Sequence, residues 1–176
     1  MQLEVYADAE EVELFLNGKS AGKAIITEKD RYKAAFELLW QPGTIEAVAY
    51  RSGTVCGRCA LTSAAGAPSL SVEPECAEVS FRQRDVVFVP IRAAGENGQT
   101  LLQRKDTVSV CIDGPAELLG FGSDDPVTEE GFAAPQHRLY DGRALLVLRP
   151  TSTGQITVTA ASQTLPAASA SITVRE

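Results

Sequence analysis

From Glu11 to Leu16 charged and apolar residues take turns, and this two-residue period, which recurs along the chain, limits the possible folds more than any other feature. Val12, Leu14 and Leu16 fall on one side of an extended strand, while Glu11 and Glu13 fall on the other. Asn17-Gly18 follows as a two-residue turn. Both central positions of a type I′ turn need positive φ, which asparagine tolerates and glycine adopts without strain, so the chain doubles back as a tight antiparallel hairpin. That geometry predicts Leu16 opposite Lys19 and Leu14 opposite Ala21.

The same period predicts strands near 2–6, 11–16, 20–27, 31–40, 44–51 and 54–62. Tyr32, Ala34, Phe36, Leu38 and Trp40 alternate, although Tyr32, Phe36 and Leu39 also keep helical spacing. The turn at Pro42-Gly43 and the renewed alternation of Ile45, Ala47 and Ala49 favour a strand there. Ala64-Ala65-Gly66-Ala67-Pro68 is small, pliant and then stiff, which is the chemistry of a linker. Beyond it, strands are expected near 69–73, 77–81, 86–93, 107–112, 117–121, 143–149, 155–161 and 169–175, with sets such as Val87, Val89, Ile91 and Ile156, Val158, Ala160 each forming one apolar face. Each such face needs a second sheet to cover it. The expectation is an all-β chain of two immunoglobulin-like β-sandwich domains in tandem, residues 1–65 and 69–176. The stretch from Gly122 to Asp141 is longer than a connector requires and reads as a contact loop.

A formal net charge of -7 and a pI near 4.8 offer no basic patch, which argues against nucleic acid or an anionic membrane as partner. No apolar run approaches the ~20 residues of a membrane helix. The chain enters its first strand at once, Gln2-Leu3-Glu4-Val5-Tyr6, as a portion of something longer would. Cys56-Gly57-Arg58-Cys59 has redox and zinc spacing, but it lies in a strand-like run, where residues three apart face opposite sides, and no second ligand pair accompanies it. Cys56, Cys59, Cys76 and Cys111 therefore read as reduced thiols, with no metal and no cofactor expected.

Particular residues go further than the pattern. Glu11-Val12-Glu13-Leu14-Phe15-Leu16-Asn17-Gly18-Lys19-Ser20-Ala21-Gly22, followed by Pro42-Gly43-Thr44-Ile45-Glu46-Ala47-Val48-Ala49-Tyr50, resembles the small β domain that follows the catalytic barrel in many bacterial glycoside hydrolase family 2 enzymes, chiefly β-galactosidases. Gly114-Pro115-Ala116-Glu117-Leu118-Leu119-Gly120-Phe121-Gly122, then Asp125-Pro126, Phe132, Ala134-Pro135 and Tyr140-Asp141-Gly142-Arg143-Ala144-Leu145, looks like the next domain of that family. Where the family usually has Asn-Gly-Asp-Pro, this chain has Ser123-Asp124-Asp125-Pro126. The resemblance implies a non-catalytic accessory region, because the family's two catalytic glutamates sit on an α/β barrel of ~250 residues that this chain has no room for. Its implied partners are the catalytic and other domains of its own parent chain.

Within that frame no residue reads as a catalyst. Phe121, Asp124, Asp125, Phe132 and His137, all in or beside the Gly122–Asp141 stretch, are the candidates for an interdomain contact. Asp124-Asp125 with Glu129-Glu130 is the densest acidic cluster, but it lacks the alternation of calcium ligands and reads as turn chemistry. His137, the sole histidine, reads as a loop surface residue without partners for catalysis or ligation. The rival function is carbohydrate binding, for which Trp40, Tyr32 and Tyr140 are the stacking candidates; Phe15, Phe36, Phe88 and Tyr50 sit within strands and read as core or seam residues. An immunoglobulin-like adhesin repeat is the third reading. Any export signal would lie ahead of Met1, so localisation stays open.

Overall fold

The computed structural model describes residues 1–83 and 86–176. The chain divides into two compact units, Met1–Ser63 and Ala64–Glu176. Both are β-sandwiches of immunoglobulin-like type.

In the first unit β1 (Gln2–Tyr6) pairs antiparallel with β4 (Lys33–Glu37), and this ribbon covers a four-stranded sheet. That sheet runs in the order β3 (Lys19–Ile25), β2 (Glu11–Leu16), β5 (Thr44–Arg51), β6 (Thr54–Thr62). Val12 and Leu14 from β2 and Ala34 and Phe36 from β4 are buried between the two layers, as the alternation requires. Asn17 and Gly18 have φ of 52° and 76°, the left-handed pair of a type I′ turn. Leu16 lies opposite Lys19 as predicted, but Leu14 lies opposite Gly22, because a bulge leaves Ala21 without a cross-strand partner. The segment expected as one strand from 31 to 40 is shorter. A one-turn 3-10 helix at Glu28–Asp30 precedes it, capped by reciprocal Thr27 and Asp30 hydrogen bonds, and Arg31 and Tyr32 then take left-handed φ, so extended geometry begins only at Lys33.

The second unit packs two sheets face to face. One has the order β12 (Gln136–Arg138), β10 (Thr107–Asp113), β14 (Gly154–Ser162), β15 (Ala168–Arg175), β8 (Glu78–Ser80). The other runs β11 (Ala116–Gly122), β13 (Arg143–Pro150), β9 (Val87–Ala94), β7 (Ser69–Val72). Val89 and Ile91, Leu146 and Leu148, Ile156 and Val158 interdigitate with no measurable exposure. The Ala-rich stretch after Ser63 is held: the Ala65 N–H donates to Asn97 Oδ1 at 3.0 Å.

The stretch from 122 to 141, expected to be all loop, contains β12. It leaves β11 on one sheet and pairs with β10 on the other, so it closes an open side of the sandwich. Its backbone is pinned at both ends. The Phe121 N–H donates to the Phe132 carbonyl at 2.7 Å, the Val110 N–H to Pro135 at 2.8 Å and the Leu139 N–H to Asp106 at 2.9 Å. This crossing explains the length of the stretch, and it sets the geometry of the site described next.

Candidate site on the outer sheet face

Along β9 and β13 the residues that face away from the core are Phe88, Pro90 and Arg92, and Arg143, Leu145 and Val147. Strand β11 bulges at Leu119, so Gly120 joins this outer face while Phe121 turns inward. Pro90, Leu145, Val147 and Gly120 form an apolar depression of about 530 Å³, bounded by Phe132, Ser123 and Asp124 on one side and by Arg92 and Arg143 on another. The absence of a side chain at Gly120 opens the floor. At Gly122 a Cβ would lie 2.1 Å from Phe132 Cδ1, so only glycine there lets the Phe132 ring come down onto the strand.

The same ring stacks on His137. Their centroids are 5.6 Å apart and the planes nearly parallel at 6°, while Phe121 meets the imidazole edge-on at 6.2 Å. His137 is not the surface residue expected from its loop-like surroundings. It is the middle residue of β12, its side chain points inward, and it is completely buried. Nδ1 lies 3.0 Å from the Arg138 carbonyl, which only accepts, so Nδ1 donates in that bond, and Nε2 has no hydrogen-bond partner among the described residues. Glu130 Oε2 sits 3.4 Å from the same Nδ1 and accepts the Arg138 N–H at 3.0 Å.

Of the five contact-loop candidates, Phe121 and His137 are thus structural. Their side chains are buried, Phe121 beneath the depression and His137 behind Phe132. Phe132 is 54% exposed, Asp124 is exposed and Asp125 half-buried. Asp125 Oδ1 accepts the Val127 N–H at 3.0 Å, an ordinary Asx turn. Neither Ser123 nor Asp124 has positive φ, so the loss of the family's glycine at position 124 brings no strain. Glu130 is drawn to β12 and away from the two aspartates, and among the described residues no three His, Cys, Asp or Glu side chains converge as a metal site.

The stacking candidates are not gathered into one platform. Trp40 is 65% exposed and Tyr32 is also exposed, but they flank β4 at opposite ends, roughly 25 Å apart for eight residues of nearly extended chain. Tyr140 belongs to the second unit, where its backbone bridges to Arg143. Phe36 is buried as expected of a strand aromatic, whereas Phe88 faces outward and is 41% exposed. Cys56 is the extra residue of a bulge in β6, and all four cysteines are unbonded and exposed.

These units define a class: tandem immunoglobulin-like sandwiches. Residues 70–171 match the family model of the glycoside hydrolase family 2 C-terminal domain 5, and residues 1–57 match a domain of unknown function (DUF4982). The first match spans more than half of the chain, which belongs to that glycoside hydrolase family 2 C-terminal domain family. The beta-galactosidase BoGH2A of Bacteroides ovatus is 27% identical over 172 residues, covering 97% of this chain and 20% of that protein. A glycosyl hydrolase family 2 member from Bacteroides cellulosilyticus superposes with a TM-score of 0.91 at 31% identity, covering 99% of this chain and 23% of the other. A beta-glycosidase from Bacteroides vulgatus shares the fold, with a TM-score of 0.86 at 23% identity over 99% of this chain and 22% of its own. The chain therefore spans about a fifth of the length of the curated relative it matches.

Proposed function

We propose that this chain is the non-catalytic C-terminal accessory region of a family 2 glycosidase of β-galactosidase type, a structural and docking module, with hydrolysis carried by a barrel outside these residues. The observation that carries the reading is the alignment of nearly the whole chain with about a quarter of a family 2 member, together with the match of residues 70–171 to a family 2 C-terminal domain. The chemistry agrees. Retaining glycoside hydrolysis needs two carboxyl groups ~5 Å apart across the scissile bond, and the depression on the outer sheet face is bordered by the single carboxylate of Asp124. That carboxylate is exposed on the rim and has no second carboxylate among the residues lining the depression.

Ending the parent polypeptide at Ala64 is expected to lower its yield of soluble enzyme or its melting temperature while folded molecules still cleave p-nitrophenyl β-galactoside. The 176-residue chain alone is expected to leave that substrate intact. Cleavage by the chain alone, or a truncated enzyme that is fully folded and fully inactive, would overturn the proposal. One observation favours a second reading, an independent carbohydrate-binding module: Trp40, the lone tryptophan, has an open face. Saturable heat of binding with galacto-oligosaccharides, abolished in Trp40→Ala, would support it.

A further inference from the structure

The two outer faces of the second unit are built differently. On the β10–β14–β15 sheet the outward residues are mostly polar, and several hydroxyls pair with one another or with a neighbour: Thr159 and Ser169 lie 2.8 Å apart across the strands, and Gln136 donates to Ser109 at 3.1 Å. That is the polar exterior expected of a solvated antiparallel sheet. On the β9–β13 side the outward positions are Phe88, Pro90, Leu145 and Val147 in the middle, with Arg92, Arg143 and Arg149 toward the strand ends, and Phe88 and Leu145 are each about 40% exposed. One molecule thus shows what it makes for water and what it does not.

Charge singles out the same face. Arg143 stands directly across from Arg92 in the β13–β9 register, and like charges so placed repel. Arg92 is neutralised by Glu73 and donates to Thr100 Oγ1 at 3.2 Å. The Arg143 guanidinium has no ion-pair or hydrogen-bond partner among the described residues. A partner that brings a carboxylate to this end of the depression would relieve the repulsion, and an apolar side chain would fill the floor above Gly120.

We propose that the outer face of the β9–β13–β11 sheet is the surface on which a segment of another domain of the same polypeptide docks, inserting an apolar side chain over Leu145 and setting an aspartate or glutamate against Arg143. The inference rests on the docking reading above and gives it an address. Two other occupants fit less well. A second copy packed by two-fold symmetry would bring a single rim carboxylate, Asp124, to two arginines, Arg92 and Arg143. A sugar would find Phe132, with one ring face already taken by His137, and Phe88, which stands outside the lining of the depression.

The test compares the 176-residue chain with the full family 2 polypeptide, each carrying Leu145→Arg, Arg143→Glu or Arg143→Lys. All three are outward substitutions, so the melting temperature of the 176-residue chain should stay within about 2 °C. In the full polypeptide Leu145→Arg and Arg143→Glu should split off an early unfolding transition at the melting temperature of the free chain, and Arg143→Lys should not. Silence in the full polypeptide, or equal shifts in both proteins, overturns the proposal. So does a dimer of the 176-residue chain abolished by Leu145→Arg, or saturable galacto-oligosaccharide binding by that chain lost in Phe132→Ala. If the face variants are silent while truncation at Ala64 still costs soluble enzyme, this address is wrong and the docking function stands; if truncation is silent as well, the function falls with it.

Discussion

Gly122 carries more of this structure than its size implies. A methyl group there would overlap the Phe132 ring, which would lift from His137 and draw the pinned 123–135 segment with it. Gly122→Ala is expected to cost about 1–3 kcal/mol in urea unfolding, the range for overpacked sites. Gly131→Ala, with open space around the added methyl, serves as the neutral control. Asp106 is a second residue with a disproportionate role. Burial alone would push its carboxyl up, but the Arg104 fork at 2.7 Å and the Thr164 hydroxyl outweigh that and hold it below its ordinary value. A carboxyl lowered in the folded state stabilises fully above the unfolded value, near pH 4, and the contribution is lost as pH falls through the folded value. Glu73, held down by the Ser71 hydroxyl and then by Arg92, acts in the same direction. Asp106→Asn should therefore lose about 1–3 kcal/mol at pH 7, and its gap to the unsubstituted protein should narrow below pH 4. A constant gap in urea unfolding across that range would contradict the assignment.

At the scale of elements, the β2–β3 hairpin shows where pattern reading holds and where it stops. Alternation and Asn-Gly chemistry are local, so the strands, the turn type and the first pair, Leu16 with Lys19, could be read from adjacent residues. The bulge at Ala21 could not, because nothing local separates a strand with one extra residue from a regular one. Asn17 does more than adopt positive φ. Its side chain donates to the Pro42 carbonyl at 3.1 Å and accepts the Thr44 N–H at 2.9 Å, tying the hairpin to the start of β5. Asn17→Ala should thus cost about 2 kcal/mol, from two lost hydrogen bonds and a strained φ. Asn17→Gly, which relieves the strain only, should cost less, as thermal unfolding would show. Strand β12 is the opposite case. Gln136-His137-Arg138 is polar and three residues long, with too few positions to show a period, and only the edge of β10 makes it a strand.

For the molecule as a whole, stability resides in the paired inner faces. Ile156 and Thr157 are neighbours in β14 on opposite sides of one sheet. Ile156→Ala is expected to cost about 2–5 kcal/mol, the range for emptying a closed core site, while Thr157→Ala should change stability by about 0.5 kcal/mol or less, as a surface substitution does. Chemical denaturation of the two variants measures the difference directly. The outer faces are where function is argued. One is hydroxyl-rich, and the other carries Leu145, Phe88 and an Arg143 without an ion-pair partner among the described residues, which is the face the proposed docking would cover.

Residue order was enough for the all-β class, the hairpin and the membership of each inward set, since alternation along a strand depends only on adjacent side chains pointing to opposite sides. The order of residues was also enough for the family likeness, because the Gly120–Gly122 and Tyr140–Leu145 motifs are contiguous. It was silent on what covers each side. His137 looks like an exposed loop histidine until β11 and Phe132 close over it, and Phe88 looks like a core aromatic until its side chain is found on the outer face, 41% exposed. Burial is a property of distant segments brought together, and no span of neighbouring residues contains it.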